Sequence, residues 1–229
     1  MPHIICTKNG LPYAQTGSEQ YILYEYIEGE ESDPEQDAEA IGTLVGKLHR
    51  IMKDYHGELV KRDRHFYIGR YIDFLNERIY RRANEFSAYG DDLWERIKDL
   101  PRGYAHGDVY CGNILKTHND KLVLLDFDTS CDGFPMYDAA LICDMTVYFK
   151  YDDNNYDKSN KILARFLPEY SKYSTLSQNE INVFHDLIAM QHFATQATIM
   201  EIFGIDCLSD SELDEQLEWL YRWREQSAR

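Results

Sequence analysis

The residues best suited to chemistry lie between positions 104 and 128. The acidic and amide side chains of this segment are Asp108, Asn113, Asp126 and Asp128. An ionised carboxylate is costly to bury alone and is stabilised by a bound cation. A small number of hard oxygen ligands suits a Mg²⁺ ion shared with substrate phosphates better than a closed protein cage. The spacing therefore predicts a metal site, with Asp108 free to orient a hydroxyl group.

A short β-hairpin is predicted to bring these side chains together. The runs NILKT and KLVLLDFD are rich in strand-forming residues, and Asn119-Asp120 between them supplies turn chemistry. Because a hairpin returns the chain to its starting point, Asn113 and Asp126 should lie close together. Asp128 is open to two interpretations, a second metal contact or a loop carboxylate.

The rest of the chain predicts one N-terminal strand pair followed by helices. HIICT and YILYEYI read as strands of a hairpin with a long loop, and Gly10 and Gly17 are turn signals. Apolar residues at helical spacing then predict helical regions at 38–52, 67–100, 139–148, 160–166, 180–203 and from 211 onward. The stripe Leu213, Leu217 and Leu220, with Trp219 and Trp223, is typical of ordinary packing.

Composition limits the classes of partner. The chain has 40 Asp and Glu against 24 Lys and Arg, a net charge of −16, which opposes binding to nucleic acid and to anionic membranes. The same field favours a cationic ligand. Five cysteines without metal-site spacing, no signal-like run and no long apolar stretch predict a reduced, cytoplasmic protein.

The site residues resemble those of a known family. His106-x-Asp108, followed by Asn113 and then Asp126-Phe127-Asp128, is similar to the catalytic and metal-binding loops of the aminoglycoside phosphotransferase and choline kinase family, which has a protein-kinase-like fold. The resemblance implies that Asp108 is the catalytic base. It also implies that His106, the second residue predicted for the catalytic site, braces the catalytic loop. It implies that Asn113 and Asp126 hold Mg²⁺.

Other segments extend the resemblance over nearly the whole chain. Residues 41–49 resemble the first helix of the family's C-terminal lobe, and residues 133–138 resemble the segment after the metal Asp, where Asp138 is structural. Residues 24–29 resemble the hinge, whose backbone at Glu25, Tyr26 and Ile27 would meet the adenine of ATP.

The resemblance implies an α+β, mainly helical fold, with residues 1–29 as a remnant of the N-terminal lobe and hinge and 30–229 as the C-terminal lobe. The phosphate-covering loop, the strand Lys and the helix Glu of the family are not found in the sequence. We therefore expect weak turnover by this chain, and self-association through apolar positions of the N-terminal hairpin.

These features predict ATP-dependent phosphoryl transfer to a hydroxyl of a small, cationic acceptor such as an aminoglycoside. Choline, homoserine-like metabolites and sugars remain alternatives. An alternative from another functional class is a non-catalytic kinase-like binding module. It would explain why the groups that cover the nucleotide phosphates are not found. A metal-dependent hydrolase would leave the hinge-like segment unexplained.

Overall fold

Helices make up most of the chain. Among residues 2–147 and 149–228, which the computed structural model describes, there are eight α-helices. They are α1 (Pro34–Met52), α2 (Arg70–Glu77), α3 (Ala83–Ile97), α4 (Pro135–Cys143), α5 (Asp153–Tyr170), α6 (Gln178–Asn182), α7 (Phe184–Phe203) and α8 (Asp210–Ser227). No helix in these ranges is long and apolar enough to cross a membrane.

The strands are short and form three small sheets. They are β1 (Ala14–Thr16), β2 (Glu19–Tyr21), β3 (Glu30–Glu31), β4 (Val60–Lys61), β5 (Gly103–Ala105), β6 (Ile114–Lys116), β7 (Leu122–Leu124) and β8 (Cys131–Gly133). β1 pairs with β2, β6 lies between β3 and β7, and β8 lies between β4 and β5. All pairs are antiparallel except β4 with β8. The predicted mixed α+β, mostly helical fold is confirmed.

Helix α1 packs on α5 and also contacts β5 and β7. Asp33 caps its first turn by accepting a hydrogen bond from the Glu35 backbone at 2.9 Å, and Pro34 occupies the first helical position. Gly42 permits close approach, since a Cβ there would lie 2.4 Å from the Phe166 carbonyl oxygen of α5. The α1–α5 pair therefore forms one rigid layer of the helical body.

The core is built around α4 and α7, whose apolar side chains are almost all buried. Helix α8 covers this core with the stripe Leu213, Leu217 and Leu220, each at most 2% exposed. Trp219 and Trp223 are buried beside the stripe and stack at 5.1 Å between ring centroids. The stripe is ordinary packing, as predicted.

Several element boundaries differ from the prediction. The helix expected at 139–148 begins at Pro135 and ends at Cys143, and Tyr148 lies outside the described residues. The region expected at 180–203 is two helices, broken at Val183. The region 67–100 is interrupted at Ile79, whose φ of 59° lies in the left-handed region. It also begins with a π-helical turn at His65–Gly69, which simple periodicity does not detect.

The N-terminal segments pair as predicted, with an extra feature inside the loop. Ile4 bridges Tyr24, and the Ile5 backbone N–H donates to the Leu23 carbonyl at 2.8 Å. The intervening loop contains its own hairpin, β1–β2, which turns at Gly17 with a φ of 62°. The division into a 1–29 remnant and a 30–229 lobe stays a prediction.

Candidate active site

The β6–β7 hairpin positions the two expected metal ligands. Its register pairs Ile114 with Leu124, and the Leu125 backbone N–H donates to the Asn113 carbonyl at 2.8 Å. Asn113 therefore stands at the start of one strand, directly across from the residue that precedes Asp126. The hairpin expected from the sequence is present, and it brings Asn113 and Asp126 to the same end.

Asp108 and Asn113 contact each other directly. The Asn113 amide nitrogen donates to a carboxylate oxygen of Asp108 at 2.8 Å and to the Asp108 backbone carbonyl at 3.0 Å. Partial burial raises the pKa of Asp108 above its ordinary value, while the bond from Asn113 opposes that rise. The Asp108 side chain is thus held in one orientation by its neighbour on the same loop.

The donor set suits Mg²⁺ shared with phosphates. Because the Asn113 amide nitrogen is committed to Asp108, its amide oxygen is the atom left to bind a cation. Asp126 is exposed and adopts a left-handed backbone with a φ of 53°, a conformation that clusters at functional sites when the residue is not glycine. Asp128 is also exposed, and its backbone N–H lies 3.4 Å from an Asp126 carboxylate oxygen.

No closed metal cage is present in the described part of the chain. Within it, no group of three or more His, Cys, Asp or Glu side chains is placed to hold a metal ion. An amide oxygen and one or two carboxylates leave coordination positions for water and phosphate oxygens, which is the usual way that Mg²⁺ binds in nucleotide sites. The residues present therefore fit a shared ion rather than a resident structural one.

The catalytic loop is fixed by a buried carboxylate. Asp138, fully buried on α4, accepts hydrogen bonds from the backbone N–H groups of His106 at 2.7 Å and Gly107 at 2.8 Å. It also bonds His49 on α1 at 2.9 Å, and His49 in turn bonds the Tyr170 hydroxyl at 2.8 Å. One carboxylate thus connects the loop to two helices.

The His106 side chain is buried and contacts the residues that follow β7. Its side chain is 0% exposed, and its Nε2 lies 3.0 Å from the Leu125 carbonyl oxygen. Its ring packs edge-on against Phe127, with 4.8 Å between centroids. The Thr129 hydroxyl donates to the His106 carbonyl at 2.9 Å. The geometry supports the bracing role implied by the resemblance.

The hinge-like segment has partly committed backbone groups. The Glu25 N–H donates to the His3 carbonyl at 2.8 Å, so this donor is already satisfied. Tyr26 and Ile27 lie outside the strands, and the Tyr26 side chain is 88% exposed. Of the three predicted adenine contacts, the backbone at Tyr26 and Ile27 fits the role better than the Glu25 amide.

A cavity of about 310 Å³ opens beside Asp108. It is lined by Arg62 and Phe66 from the segment before α2, by Arg70 at the start of α2, by the catalytic loop at Gly107 and Asp108, and by Thr129, Tyr137, Gln191, Ala194, Thr195, Thr198 and Ile199. Sequence reasoning missed the arginines and the phenylalanine. The sequence RDRHFYIGR at residues 62–70 gives little indication of a binding site, because it has no motif spacing and predicts only the start of a helix.

A larger cavity, about 810 Å³, is formed at the carboxyl end of α1 and includes His49, Arg102 and Tyr170 in its lining. None of Asp108, Asn113 and Asp126 lines it. The size of a cavity therefore does not identify the reaction site. The smaller cavity is the better candidate because Asp108, the candidate base, lines it.

Solved structures of other proteins share this fold. An amicoumacin kinase solved with AMP-PNP and Ca²⁺ superposes with a TM-score of 0.72 at 16% identity, covering 98% of this chain and 72% of its own. A Plasmodium vivax ethanolamine kinase gives 0.68 at 15%, covering 93% and 68%. An aminoglycoside phosphotransferase from Alicyclobacillus acidocaldarius gives 0.57 at 16%, covering 99% and 77%.

These structures show the fold alone, because their sequences are too distant from this chain for its substrate to be inferred from theirs. They confirm the kinase-like α+β fold expected from the sequence. Comparison with proteins of curated function finds no matching sequence. Residues 4–173 match the phosphotransferase enzyme family, which is most of the chain and includes the catalytic loop, the hairpin and Asp138. The chain therefore belongs to the phosphotransferase enzyme family, as its motifs predicted.

Proposed function

We propose that this protein transfers the γ-phosphoryl group of ATP to a hydroxyl of a small acceptor. The observation that carries the proposal is the contact of Asp108 with Asn113 at the edge of a cavity, on a loop held by Asp138. Phosphoryl transfer depends mainly on positioning and on charge stabilisation. This site provides a fixed carboxylate on one side and oxygen ligands on the other.

The step begins when the acceptor hydroxyl donates a hydrogen bond to Asp108. The hydroxyl oxygen forms a bond to the γ-phosphorus as the bond from phosphorus to the β,γ-bridging oxygen breaks, and ADP leaves. Asp108 takes the hydroxyl proton and later releases it to water. Asn113 keeps the carboxylate aimed at the acceptor during this step.

Asn113, Asp126 and Asp128 are the residues that would hold Mg²⁺, which supplies charge neutralisation at the phosphates when bound. The backbone at Tyr26 and Ile27 would contact adenine. Asp128 keeps both of its roles open, second metal contact or loop carboxylate.

The cationic acceptor expected from net charge receives little support at the cavity. Among the lining residues, Asp108 is the one carboxylate, whereas Arg62 and Arg70 contribute two guanidinium groups. Acidic residues on α8 are paired elsewhere: Asp210 with Arg78 at 2.8 Å, and Asp214 with Arg81. Because Arg70 is paired with Glu201 at 2.8 Å, the charges left at the cavity are one guanidinium and one carboxylate, so an aminoglycoside or choline would meet no excess of negative charge at the reacting end.

The main alternative is a kinase-like module that binds nucleotide without transferring phosphate. Calorimetry with AMP-PNP, with and without Mg²⁺, tests nucleotide binding, and ³¹P NMR of ATP with a panel of hydroxylated acceptors tests transfer. Mg²⁺-dependent binding together with acceptor-dependent loss of ATP supports the kinase. Binding without any transfer supports the module, and absence of Mg²⁺-dependent binding contradicts both.

Self-association through the N-terminal hairpin is a second proposal about this chain. Its support is the exposure of Ile5, Ile22 and Leu23, at 50%, 50% and 63%. Exposed apolar edges of this kind favour pairing with another strand. Sedimentation equilibrium of the wild type and of Leu23→Lys tests it: a dimer that the substitution dissolves supports pairing, and a monomeric wild type contradicts it.

A further inference from the structure

Arg62 is a buried cation without a carboxylate partner. The residue follows β4 and is 9% exposed. Its Nη1 donates to the Gly107 carbonyl at 3.2 Å, and its guanidinium lies 4.1 Å from the centroid of the Phe66 ring. No ion pair of Arg62 with Asp or Glu is found among the described residues, although its positive charge opposes the rise in the pKa of Asp108, which lines the same cavity.

Several other arginines of this chain have carboxylate partners. Arg70 pairs with Glu201 at 2.8 Å, Arg78 with Asp210 at 2.8 Å, and Arg96 with Asp186 at 3.0 Å. A buried charge without a partner is strongly unfavourable, so buried guanidinium groups are normally matched by an acid. The acid that Arg62 lacks within the protein is a group that a ligand can supply.

The surroundings hold the Arg62 side chain at the cavity. Gly107 has a φ of 80°, and a Cβ at this position would lie 2.5 Å from Arg62 Nη1. The φ of 80° and the Thr129 carbonyl oxygen, 2.8 Å from such a Cβ, require glycine here, and the missing side chain leaves room for the guanidinium one residue before Asp108. The cation and the candidate base are therefore held in a fixed relation by the loop itself.

A second guanidinium shares the same aromatic ring. Arg70 lies 4.4 Å from the Phe66 centroid, and its Nε donates to the Phe66 carbonyl at 3.0 Å. Its Nη1 donates to both carboxylate oxygens of Glu201, so its charge is partly compensated. Phe66 itself sits on the π-helical turn His65–Gly69, a type of distortion that is frequent at functional sites.

The lining of the cavity separates it from the expected metal ligands. Its lining includes Asp108 but neither Asn113 nor Asp126, the residues expected to meet the metal and the phosphates of ATP. Polar groups of Thr129, Gln191 and Thr198 complete a surface suited to hydroxyls. An anion bound at Arg62 would therefore belong to the acceptor and not to the triphosphate of ATP.

We propose that the acceptor carries an anionic group, a carboxylate or a phosphate, which Arg62 binds with help from Arg70 while an acceptor hydroxyl reaches Asp108. This inference rests on the proposed phosphotransferase function and specifies its substrate class. Guanidinium groups suit such anions because they donate two parallel hydrogen bonds to them.

The test uses four probes on one carbon skeleton: gluconate, glucose 6-phosphate, glucose and glucosamine. Binding to the whole chain is followed by ¹⁵N NMR of the Gly107 amide and of the arginine Nε–H groups, and transfer from ATP by ³¹P NMR. We expect one or both anions to bind, and to be phosphorylated, in preference to glucose and glucosamine. The two anionic probes separate a carboxylate site from a phosphate site.

The variant Arg62→Gln should weaken binding of the preferred anion by about 10- to 100-fold, the usual range for loss of a charged hydrogen bond. Arg62→Lys keeps the charge and should retain part of the preference, which separates loss of charge from misfolding. The control is Arg64→Gln in the same segment, where the side chain pairs with Asp91 at 2.6 Å and does not line the cavity.

Affinity for AMP-PNP with Mg²⁺ should be the same in the wild type and Arg62→Gln. A loss of that affinity would assign Arg62 to the triphosphate and overturn the proposal. Preference for glucosamine, equal affinity for all four probes, or no binding of either anion would also overturn it. Failure of the wild type to bind AMP-PNP with Mg²⁺ contradicts the phosphotransferase itself, and the NMR titration still decides the anion site separately.

Discussion

The amide nitrogen of Asn113 lies 2.8 Å from a carboxylate oxygen of Asp108, across five residues of the same loop. This bond gives each residue a definite task. It orients the carboxylate that would accept a proton, and it commits the amide nitrogen so that the amide oxygen is available to a cation. One hydrogen bond therefore joins the candidate base to a candidate metal ligand.

Asp126 is expected to dominate binding of the metal–nucleotide complex. Its position after Leu125, which bonds Asn113 across the hairpin, places it near Asn113, the other proposed oxygen ligand. Asp126→Asn should weaken Mg²⁺-dependent AMP-PNP binding by about 10-fold or more, and Asp128→Asn should weaken it less. Calorimetry of both variants measures this, with Asp120→Asn in the exposed hairpin turn as control. A larger loss in Asp128→Asn would reverse the assignment.

Asp138 is expected to position the catalytic loop. Asp138→Asn replaces an acceptor of three hydrogen bonds with a group that offers a donor to the backbone N–H groups of His106 and Gly107. Urea denaturation should show a loss of about 2–3 kcal/mol in the free energy of unfolding. Transfer should fall well below wild type even at temperatures where the variant is folded.

A matched control for that experiment is Asp157→Asn, an exposed position on α5. It makes the same change of charge without touching the loop. If Asp138→Asn folded stably and transferred phosphate at the wild-type rate, the loop would be held by other contacts.

Stability should depend on pH through Asp144, which follows α4. Burial raises the pKa of Asp144 from 3.8 to about 6, although the Thr146 backbone donates to the carboxylate at 2.8 Å. Between these two values the folded state keeps a proton that the unfolded chain has released. The contribution of Asp144 to the free energy of unfolding is therefore fully present below pH 3.8, the pKa in the unfolded chain. It is lost as the pH rises through about 6, the pKa in the folded protein.

Asp144→Asn removes this dependence. Its melting temperature should exceed that of the wild type near pH 8, by an amount equivalent to about 3 kcal/mol, and the difference should vanish near pH 4. Differential scanning calorimetry at several pH values measures both. A variant that is less stable than the wild type throughout would show that ionised Asp144 is stabilising.

Close packing of helices gives a further prediction. Gly42→Ala places a methyl group against the Phe166 carbonyl, which is backbone and cannot rotate away. We expect a loss of about 1–3 kcal/mol in the free energy of unfolding, as for other overpacked contacts. Arg50→Ala, an exposed position on the same helix, should change it little. Equal stability of the two variants would mean that α1 and α5 separate easily.

The sequence was informative where spacing and local chemistry agree. The hairpin between Asn113 and Asp126 was predictable because strand-forming runs flank a turn, and the loop motif identified Asp108. Helix ends were less predictable, since the start of α1 depends on the cap at Asp33 and the break at Val183 on tertiary packing. The π-helical turn follows no simple period.

The acceptor side of the site was the least predictable part. Net charge suggested a cation, yet charge summed over a chain says little about one cavity. Asp210 and Asp214 of α8 pair with nearby arginines, and Arg62, which follows β4, contacts the catalytic loop at Gly107. Such a contact joins residues 45 positions apart in sequence and has no local signature.

The most direct test of the central claim is the rate of γ-phosphoryl transfer from ATP by the wild type, Asp108→Asn and Asp120→Asn, followed by ³¹P NMR with the four glucose-derived acceptors. Removal of the proton acceptor should slow transfer by about 10²- to 10⁴-fold while AMP-PNP affinity in Mg²⁺ is retained, and Asp120→Asn should match the wild type. Transfer by Asp108→Asn at the wild-type rate would contradict the account.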